Sequence, residues 1–510
     1  MWVAASNQVP TLVAVSGELR PDRYNRRELM QRGAGAALAL GVSTAGWRVA
    51  GARAAVDPRL AALARELEGD LVVPSDATYG QARVLWNPRF DGIRPLAIAY
   101  VATVADVRHA IKWAKRYRVD FAVRSGGHSF GGFSTTTGLV LDLSRLSNID
   151  LRPDGSAQVE AGARLGQVYE ALWTRGRAVP LGSCPTVGVS GLTLGGGHGF
   201  SSRALGLACD NVVGTEIVTA DGRVRLCDDR NHPDLFWALR GGGVESYGVV
   251  TKLLFRTHPV GTVTTVNLEW PWSEARKVIL AWQGFAPSAA DALTCVLLLA
   301  PPATTGGVPR VSLNGQVFGT RSEALAILQP LTDVLSPTKV SAVQRPFIVA
   351  VHYFAGGNPP RRSFAAKSNY GLRPLPAPAL DVIIGAIERA ARDPQLASTE
   401  ASLFAHGGAI NRVGRDATAF VHRNALFSIR YTAFWDAPAG TTAANRAWLR
   451  STHAAMQPYV SGAVTNYADP DLVDWRTAYY GSHLKRLVAV KRRYDPGNLF
   501  RFAQSIPTRL

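Results

Sequence analysis

Cysteine is scarce in this chain, with only four among 510 residues. So few cysteines exclude a small domain held together by disulfides, because such scaffolds need several bridges within a short sequence. Cys209 and Cys227 could pair in an oxidising compartment, and buried free thiols are an equally good interpretation of both. No group of histidine, cysteine and aspartate has the spacing of a metal site, so we predict no bound metal.

Long apolar runs and blocks of like charge are also lacking. No stretch approaches the ~18–20 uninterrupted apolar residues of a membrane span, so we expect none in the mature protein. The formal net charge is +18, but the basic residues are scattered along the chain. Nucleic-acid-binding proteins more often concentrate such residues in one patch. We therefore predict no nucleic-acid partner and interpret the charge as a general property of the surface.

The chain does contain enough apolar sequence for large hydrophobic cores. Hydrophobic residues make up 47% of its 510 residues, and a chain of this length is expected to form two domains. Up to about residue 259, short strand patterns mix with helix patterns. Beyond it, strands and longer helices follow without strict alternation, which indicates an antiparallel sheet backed by helices. These patterns predict an α+β fold with a boundary near residue 259.

The first 54 residues have the features of an export signal. Arg26 and Arg27 lie in a sequence that resembles a twin-arginine signal, and a mildly apolar segment follows at 33–45. Residues 52–54 (Ala-Arg-Ala) offer a small-residue cleavage site. The alternative interpretation is a short exposed helix in a poorly ordered tail. We favour export by the twin-arginine route, to the periplasm or the exterior, and leave residues 1–54 out of the fold.

A glycine-rich stretch at residues 124–132 points to a bound ligand. It has the sequence Arg-Ser-Gly-Gly-His-Ser-Phe-Gly-Gly and follows a predicted strand at 119–123. Glycines let the backbone approach a ligand closely, and consecutive N–H groups in such a loop form a nest for a phosphate. Arg124 can add a charge-assisted hydrogen bond. Taken alone, the stretch is equally compatible with a glycine-rich turn.

A second glycine-rich stretch, at residues 182–200, makes the first one specific. It contains Gly-Ser-Cys-Pro-Thr-Val-Gly-Val-Ser-Gly and then Gly-Gly-Gly-His-Gly. Together the two stretches strongly resemble those of the berberine-bridge-enzyme-like FAD-linked oxidases of the vanillyl-alcohol-oxidase superfamily. Further matches at 240–251, 475–481 and 494–500 follow in family order. The resemblance therefore extends from about residue 80 to the C-terminus.

The resemblance implies a fold and a division of the chain. It implies a two-part FAD-binding domain of the PCMH type at residues 55–259. A substrate domain would follow at residues 260–480, with its antiparallel sheet forming a roof over the flavin. Residues 481–510 would then return to the first domain.

The resemblance also implies covalently bound FAD. In the family, the histidine of the first stretch is bonded to the flavin 8α-methyl carbon, and the cysteine of the second stretch to flavin C6. His128 and Cys184 occupy these positions, although each alone would be interpreted as a turn histidine or a buried thiol. The other residues implied to bind FAD are Arg124, Ser125, Gly126, Gly127, Ser129, Val187, Gly188, Gly191, Leu192, Gly195, Gly196, His198, Gly199, Val250, Tyr479, His483 and Asn498.

The chemistry of such a site divides between flavin and protein. No side chain transfers hydride well, so the cofactor must accept it while the protein removes a proton from the substrate. A tyrosine can be this base when nearby positive charge favours its ionised form. The family uses the tyrosine of an Asn-Tyr-x-Asp sequence, which residues 466–469 match, so Tyr467 is the candidate base. Its alternative is a buried aromatic with a satisfied hydroxyl. Tyr431 and His406 are further candidates to face the substrate.

These features predict a secreted FAD-dependent oxidase. Its small-molecule substrate would be an alcohol, a sugar or an activated C–H of a secondary metabolite, and O2 would be reduced to H2O2. Val187 supports an oxidase, because in related enzymes a valine at this position goes with oxidase behaviour. The alternatives are a flavin dehydrogenase with another acceptor and a catalytically silent binding protein of the same fold. The intact His128, Cys184 and Tyr467 argue against silence.

Overall fold

A computed structural model describes the chain from residue 57 to residue 510, except for positions 244, 303, 358, 359, 397, 437 and 438. The predicted export signal, residues 1–54, lies outside the described residues. Arg59–Leu510 form one compact unit. Within the described ranges, no helix combines the length and the apolar character that crossing a membrane requires.

Two sheets and one pair of short strands come from the chain before residue 260. Their strands are β1 (Asp70–Val72), β2 (Ala97–Tyr100), β3 (Phe121–Arg124), β4 (Leu139–Asp142), β5 (Ile149–Leu151), β6 (Ser156–Glu160), β7 (Arg177–Ala178), β8 (Val212–Thr219), β9 (Val224–Cys227), β10 (Gly248–Arg256) and β11 (His258–Pro259). The first sheet has the order β1-β2-β4-β3, and the second has the order β5-β6-β10-β8-β9. Strand β7 pairs with β11.

The helices of this part are α1 (Pro58–Glu66), α2 (Tyr79–Ala82), α3 (Val104–Tyr117), α4 (Leu165–Trp173), α5 (Val189–Leu194), α6 (Ser202–Leu205) and α7 (Pro233–Ala238). Helix α3 begins where Thr103 caps it, because the Thr103 Oγ1 accepts a hydrogen bond from the Asp106 N–H at 3.2 Å. It connects β2 to β3, and both strands run parallel to β4. The first glycine-rich stretch therefore emerges at the carboxyl ends of three parallel strands, where ligands of such strands bind.

A seven-stranded sheet comes from the chain after residue 260. Its strands are β12 (Thr262–Trp270), β13 (Leu293–Ala300), β14 (Arg310–Val317), β15 (Lys339–Pro346), β16 (Ser363–Gly371), β17 (Thr399–Ala405) and β18 (Phe427–Trp435). They pair in the order β15-β12-β14-β13-β17-β18-β16, and every pairing is antiparallel. The predicted α+β fold with an antiparallel sheet is confirmed.

Helices cover one face of this sheet. The helices after residue 260 are α8 (Ala275–Phe285), α9 (Arg321–Val334), α10 (Phe347–Ala355), α11 (Ala377–Arg392), α12 (Gly408–Arg412), α13 (Ala439–Met456), α14 (Trp475–Tyr480) and α15 (Leu484–Tyr494). One large core joins Trp282 of α8, Ile383 of α11 and Trp448 of α13 to alternate residues of the strands, such as Leu297 and Leu299. Alternation along each strand leaves the intervening residues on the opposite face, and that face borders the site.

The C-terminal segment packs against the chain before residue 260. Lys491 Nζ donates hydrogen bonds to the Ser246 carbonyl at 2.7 Å, to Asp495 Oδ2 at 2.6 Å and to the Phe500 carbonyl at 2.5 Å. The ring of Phe500 also meets that of Phe121, with 5.4 Å between their centroids. A buried ammonium group needs such a complete set of acceptors, so this contact fixes the position of the last helix.

Candidate active site

A cleft with about 1370 Å³ of space, its open mouth included, lies between the glycine-rich stretches and the seven-stranded sheet. The first stretch contributes residues 125–130 to its lining, and the second contributes 182–184, 187, 188, 191, 192 and 198. The sheet contributes Phe364, Arg430, Thr432 and Phe434, and residues 465–468 complete the wall. The predicted cofactor motifs and the predicted base therefore meet in one cleft.

Two glycines bring the backbones of the two stretches into direct contact at the floor. A Cβ atom on Gly126 would lie 2.2 Å from the Gly188 nitrogen, and one on Gly188 would lie 2.0 Å from the Ser125 Oγ. Any other residue at either position would push the stretches apart. Gly127 follows with a φ of +69°, in the left-handed region that favours glycine. The floor is thus built of backbone atoms, so a ligand can lie directly against the chain there.

Arg124 holds the first stretch in place and lies beside a second, adjoining cleft. Its Nε donates to Asp142 Oδ2 at 2.5 Å and its Nη2 to the Ala82 carbonyl at 2.7 Å. One nitrogen of the guanidinium, Nη1, is therefore left without a hydrogen-bond partner among the described residues. The adjoining cleft of about 1150 Å³ shares Trp86 and residues 125–127 with the first.

The two predicted attachment residues converge on one hydroxyl group. His128 Nε2 lies 2.9 Å from the Thr186 Oγ1, and Cys184 Sγ lies 3.5 Å from the same oxygen. The imidazole also stacks on Trp86, with ring centroids 4.9 Å apart and planes 17° apart. Burial, aided by the charge of Arg164, lowers the pKa of His128 to about 3, so the imidazole is neutral at physiological pH.

Cys184 differs from the other cysteines in its exposure. The structure describes all four cysteines, and all four are free thiols. Cys184 is half-buried and lines the cleft, whereas Cys209, Cys227 and Cys295 are buried. Of the two interpretations for Cys209 and Cys227, the structure shows free thiols. Only Cys184 is thus placed to react with a ligand in the cleft.

His198 brings an unpartnered nitrogen to the cleft. Its Nε2 is buried and has no hydrogen-bond partner among the described residues. Burial lowers the pKa of His198 to about 4, against the effect of a hydrogen bond to the Ala405 backbone. His406 stacks behind it, with ring centroids 5.4 Å apart. His406 is itself buried and is not among the residues that line the cleft, so it lies behind His198 in this structure.

The Asn-Tyr-x-Asp sequence is fixed on both sides of its tyrosine. Asn466 Oδ1 accepts a hydrogen bond from the Gly197 N–H at 3.1 Å, which ties the segment to the second glycine-rich stretch. Asp469 pairs with Lys367 of β16 at 2.5 Å, and both side chains are buried. Tyr467 lies between these anchors and lines the cleft. The motif therefore presents one phenol to the ligand space.

A buried cation faces the ring of Tyr467. The Arg430 Cζ lies 5.3 Å from the centroid of that ring. Arg430 Nη2 also donates to Glu400 Oε1 at 2.8 Å, and both partners are almost completely buried. Burial alone would lower the pKa of the Arg430 guanidinium, but the nearby Tyr467 oxygen and Glu400 carboxylate raise it above its ordinary value. The positive charge beside Tyr467 is therefore permanent.

Tyr431 lies on the wrong face of the sheet for a role in the cleft. Arg430 and Thr432 of β18 line the cleft, and successive side chains of a strand point to opposite faces. Tyr431 is accordingly packed in the core with Trp282. Burial raises the pKa of its hydroxyl well above the ordinary value. The expectation that Tyr431 faces the substrate is corrected by this alternation.

Several residues implied to bind FAD lie outside the lining of both clefts: Gly195, Gly196, Gly199, Val250, Tyr479, His483 and Asn498. Three of them, Tyr479, His483 and Gly195, make contacts within the frame of the site. The Tyr479 hydroxyl accepts a hydrogen bond from the Asp469 N–H at 2.9 Å. His483 Nε2 lies 2.9 Å from Asp416 Oδ1. A Cβ on Gly195 would lie 2.5 Å from the Asn466 Nδ2, so this glycine admits the anchor of the tyrosine segment.

Sequence reasoning missed Trp86, Thr186, Glu245 and Arg430. Glu245 lines the cleft with a φ of +55°, and burial raises the pKa of its carboxyl group to about 8. Strand alternation in β18 could have identified Arg430 once a tyrosine of that strand was assigned to the core. Thr186 stands beside Cys184 in the second stretch. Nothing in the sequence around Trp86 marks it as a partner of His128.

The residues of the cleft fit FAD. The backbone floor at Gly126 and Gly188 suits a cofactor that must lie close to the chain. The orphaned nitrogen of His198 and the free donor of Arg124 are polar groups that a polar cofactor can satisfy. His128 and Cys184 lie close enough to share one hydroxyl, so both can reach a single ring system. The two stretches, 125–129 and 182–188, would hold the cofactor.

The site and fold together define an FAD-linked oxidoreductase, and comparison with known proteins agrees. Residues 95–228 match a family described as an FAD binding domain, and residues 463–507 match the berberine and berberine-like family. YgaK of Bacillus subtilis, named as an uncharacterized FAD-linked oxidoreductase, is 37% identical over 87% of this chain and 97% of its own length. The chitooligosaccharide oxidase of Gibberella zeae is 31% identical over 85% of this chain and 92% of its own length.

Solved structures give the same result. Berberine-bridge-enzyme-like protein 1 of Physcomitrella patens is 30% identical, with a TM-score of 0.82 over 89% of this chain and 99% of its own. Phl p 4, a grass pollen allergen with glucose dehydrogenase activity, is 27% identical, with a TM-score of 0.79. The match covers 88% of this chain and 99% of that protein. The chain belongs to the berberine-bridge-enzyme-like family of FAD-linked oxidoreductases. The suspected resemblance is confirmed, and the protein is an enzyme that uses FAD.

Proposed function

We propose that this enzyme is an oxidase that binds FAD covalently through His128 and Cys184. Its substrate is an alcohol, a sugar or an activated C–H of a secondary metabolite, and O2 is reduced to H2O2. One observation carries the proposal: Tyr467, with Arg430 beside it, shares a cleft with both attachment residues and the glycine floor.

The side chains divide the work on the substrate. Bound FAD supplies the hydride acceptor that no side chain provides. Tyr467 takes the proton of the substrate hydroxyl, and Arg430 stabilises the phenolate that performs this transfer. Phe130, Phe364 and Phe434 line the same cleft. Their apolar rings exclude water and strengthen the interaction between charge and phenolate.

The state of the two attachment residues supports covalent binding. Bond formation by an imidazole requires a free lone pair, and the low pKa of His128 provides the neutral ring. Cys184 is the half-buried cysteine in the cleft, so its sulfur is accessible to a ligand there. An attached cofactor would also be retained by a protein that works outside the cell.

Val187 supports oxygen as the electron acceptor, because a valine at this position goes with oxidase behaviour in related enzymes. It lines the cleft three residues after Cys184 and is half-buried. Among the relatives, the chitooligosaccharide oxidase is named as an oxidase, whereas Phl p 4 is described by a glucose dehydrogenase activity. Both acceptor types occur among the relatives, so the assignment of oxygen rests on Val187.

The function is tested by mixing the purified protein with sugars, oligosaccharides and polyketide alcohols. We expect at least one substrate to bleach the bound flavin without oxygen and to release H2O2 in air. Bleaching without peroxide, reversed only by an added artificial acceptor, would make the enzyme a dehydrogenase. Neither bleaching nor peroxide with any substrate class would contradict catalysis and favour a binding protein.

We also propose export by the twin-arginine route, on the basis of Arg26 and Arg27. Replacing both by lysine should retain the protein in the cytoplasm of a host that has this pathway. Arg53→Lys is the matched control, because it makes the same exchange within the signal but outside the pair. Fractionation followed by detection of the protein measures the outcome, and unchanged secretion of the double variant would refute the route.

A further inference from the structure

We propose that Thr186 is a positioning residue for flavin attachment, orienting His128 and Cys184 through its single hydroxyl group. The inference rests on the covalent attachment proposed above and adds a residue to it. Thr186 itself does not line the cleft, so its effect on the cofactor acts through these two side chains. Its hydroxyl oxygen lies 2.9 Å from His128 Nε2, the nitrogen on the far side of the ring from Nδ1, and 3.5 Å from Cys184 Sγ.

The hydroxyl can serve both partners at once. A threonine hydroxyl has one hydrogen to donate and two lone pairs that accept. If the neutral His128 carries its hydrogen on Nε2, that N–H donates to Thr186 Oγ1, and the Thr186 hydrogen is free to point at the Cys184 sulfur. This arrangement leaves the Nδ1 lone pair of His128 for the bond to carbon. Stacking on Trp86 holds the ring plane while the hydrogen bond to the hydroxyl holds Nε2 in place within that plane.

The attachment chemistry balances with dioxygen as the oxidant. Each bond, nitrogen to the flavin methyl carbon and sulfur to flavin C6, replaces one hydrogen on the side chain and one on the flavin. Two protons and two electrons therefore leave for each bond formed. Dioxygen takes them and becomes H2O2, as it does in the proposed reaction. Thr186 is chemically unchanged after attachment, because it only orients the imidazole by donating and accepting hydrogen bonds.

The second glycine-rich stretch offers a matched control. Thr193 lies seven positions after Thr186. It is fully buried, and its hydroxyl has no hydrogen-bond partner among the described residues. Thr193→Val therefore removes a hydroxyl from the same stretch without breaking a hydrogen bond. Thr186→Val removes the shared hydroxyl at nearly constant shape, and Thr186→Ser keeps the hydroxyl but loses the methyl group.

The test follows attachment itself and needs no turnover. Full-length protein is produced under riboflavin limitation and given FAD in air. Samples are denatured over time, and the peptides carrying His128 and Cys184 are scored separately by mass. We expect attachment at both His128 and Cys184 in the wild type and in Thr193→Val. In Thr186→Val it should be at least about fivefold slower, the effect of one ordinary hydrogen bond, and Thr186→Ser should restore it.

Each other result identifies what has failed. A wild type without attached FAD on either peptide would overturn the proposed covalent binding. If FAD becomes attached to the wild type and equally fast to Thr186→Val, only the role of Thr186 is overturned. If attachment in Thr186→Ser is as slow as in Thr186→Val, the effect belongs to the methyl group, and the proposed role of the hydroxyl is also overturned. If Thr186→Val does not fold, as judged by its melting temperature, Thr186→Ala is compared with Thr186→Ser on the same criteria.

Discussion

Tyr467→Phe is expected to slow bleaching of the bound flavin by substrate about 10²–10⁴-fold, the usual contribution of a general base. The phenylalanine keeps the ring between the anchors at Asn466 and Asp469. It removes only the oxygen that takes the substrate proton. Anaerobic stopped-flow measurement of flavin absorbance gives this rate directly. The substrate concentration for half-maximal rate should change little, because the cleft keeps its shape.

Two controls separate the base from general damage to the site. Reoxidation of the reduced Tyr467→Phe protein by dissolved O2 should proceed at the wild-type rate, because Val187 and the glycine floor are untouched. Tyr431→Phe should bleach as fast as the wild type, since that hydroxyl is buried on the other face of the sheet. Bleaching of Tyr467→Phe within a few-fold of wild type would remove Tyr467 from the role of base.

The fold was predictable where periodicity and motif agree. The βαβ unit formed by β2, α3 and β3 has an alternating apolar pattern and a helix with an apolar face, so its elements emerge from the sequence. In the chain after residue 260, the sequence pattern does not mark strands β15, β16 and β17. Strand β15 is an exposed edge strand, whereas most residues of β17 are buried. A buried run of seven residues can be a strand or a helix by pattern alone.

The site was predictable only as far as motifs define it. The glycine stretches located His128 and Cys184 because each motif is continuous in sequence. The partners of these residues come from distant segments, as Trp86 does, and only the folded chain brings them together. Strand register decides that Arg430 faces the cleft and Tyr431 the core, and no motif in the sequence carries that register. A shift of one residue along a strand moves a side chain to the opposite face.

Arg430 carries the second large expected effect. Its cation stabilises the phenolate of Tyr467, so removing the charge should move the rise of the bleaching rate to higher pH. Two unit charges ~5 Å apart attract each other by about 1–3 kcal/mol at effective dielectric constants of ~20–80, so bleaching at neutral pH should slow by about 10–10²-fold. The loss should diminish as the pH rises, because a basic solution favours removal of the phenol proton even without the cation. Rates measured from pH 6 upward, by roughly one-unit steps, give the profile.

The substitution must take the partner of Arg430 into account. Arg430→Gln alone would leave the Glu400 carboxylate buried without a cation, and breaking such a pair costs about 3–5 kcal/mol of stability. The informative variant is therefore Arg430→Gln with Glu400→Gln, which removes both charges and keeps an amide pair in their place. Glu400→Gln alone retains the cation, and its profile should not move to higher pH. Arg430→Lys also retains the charge and should keep most of the neutral-pH rate.

These variants distinguish electrostatic support from packing. If Arg430 acts by charge, the double variant approaches the wild-type rate at high pH, whereas Tyr467→Phe remains slow at every pH because it has no oxygen to ionise. If Arg430 only fills space beside Tyr467 and Phe404, over whose ring it also lies at 5.2 Å, the double variant loses rate equally at all pH values. A profile for the double variant that coincides with the wild type would show that Tyr467 works without the cation.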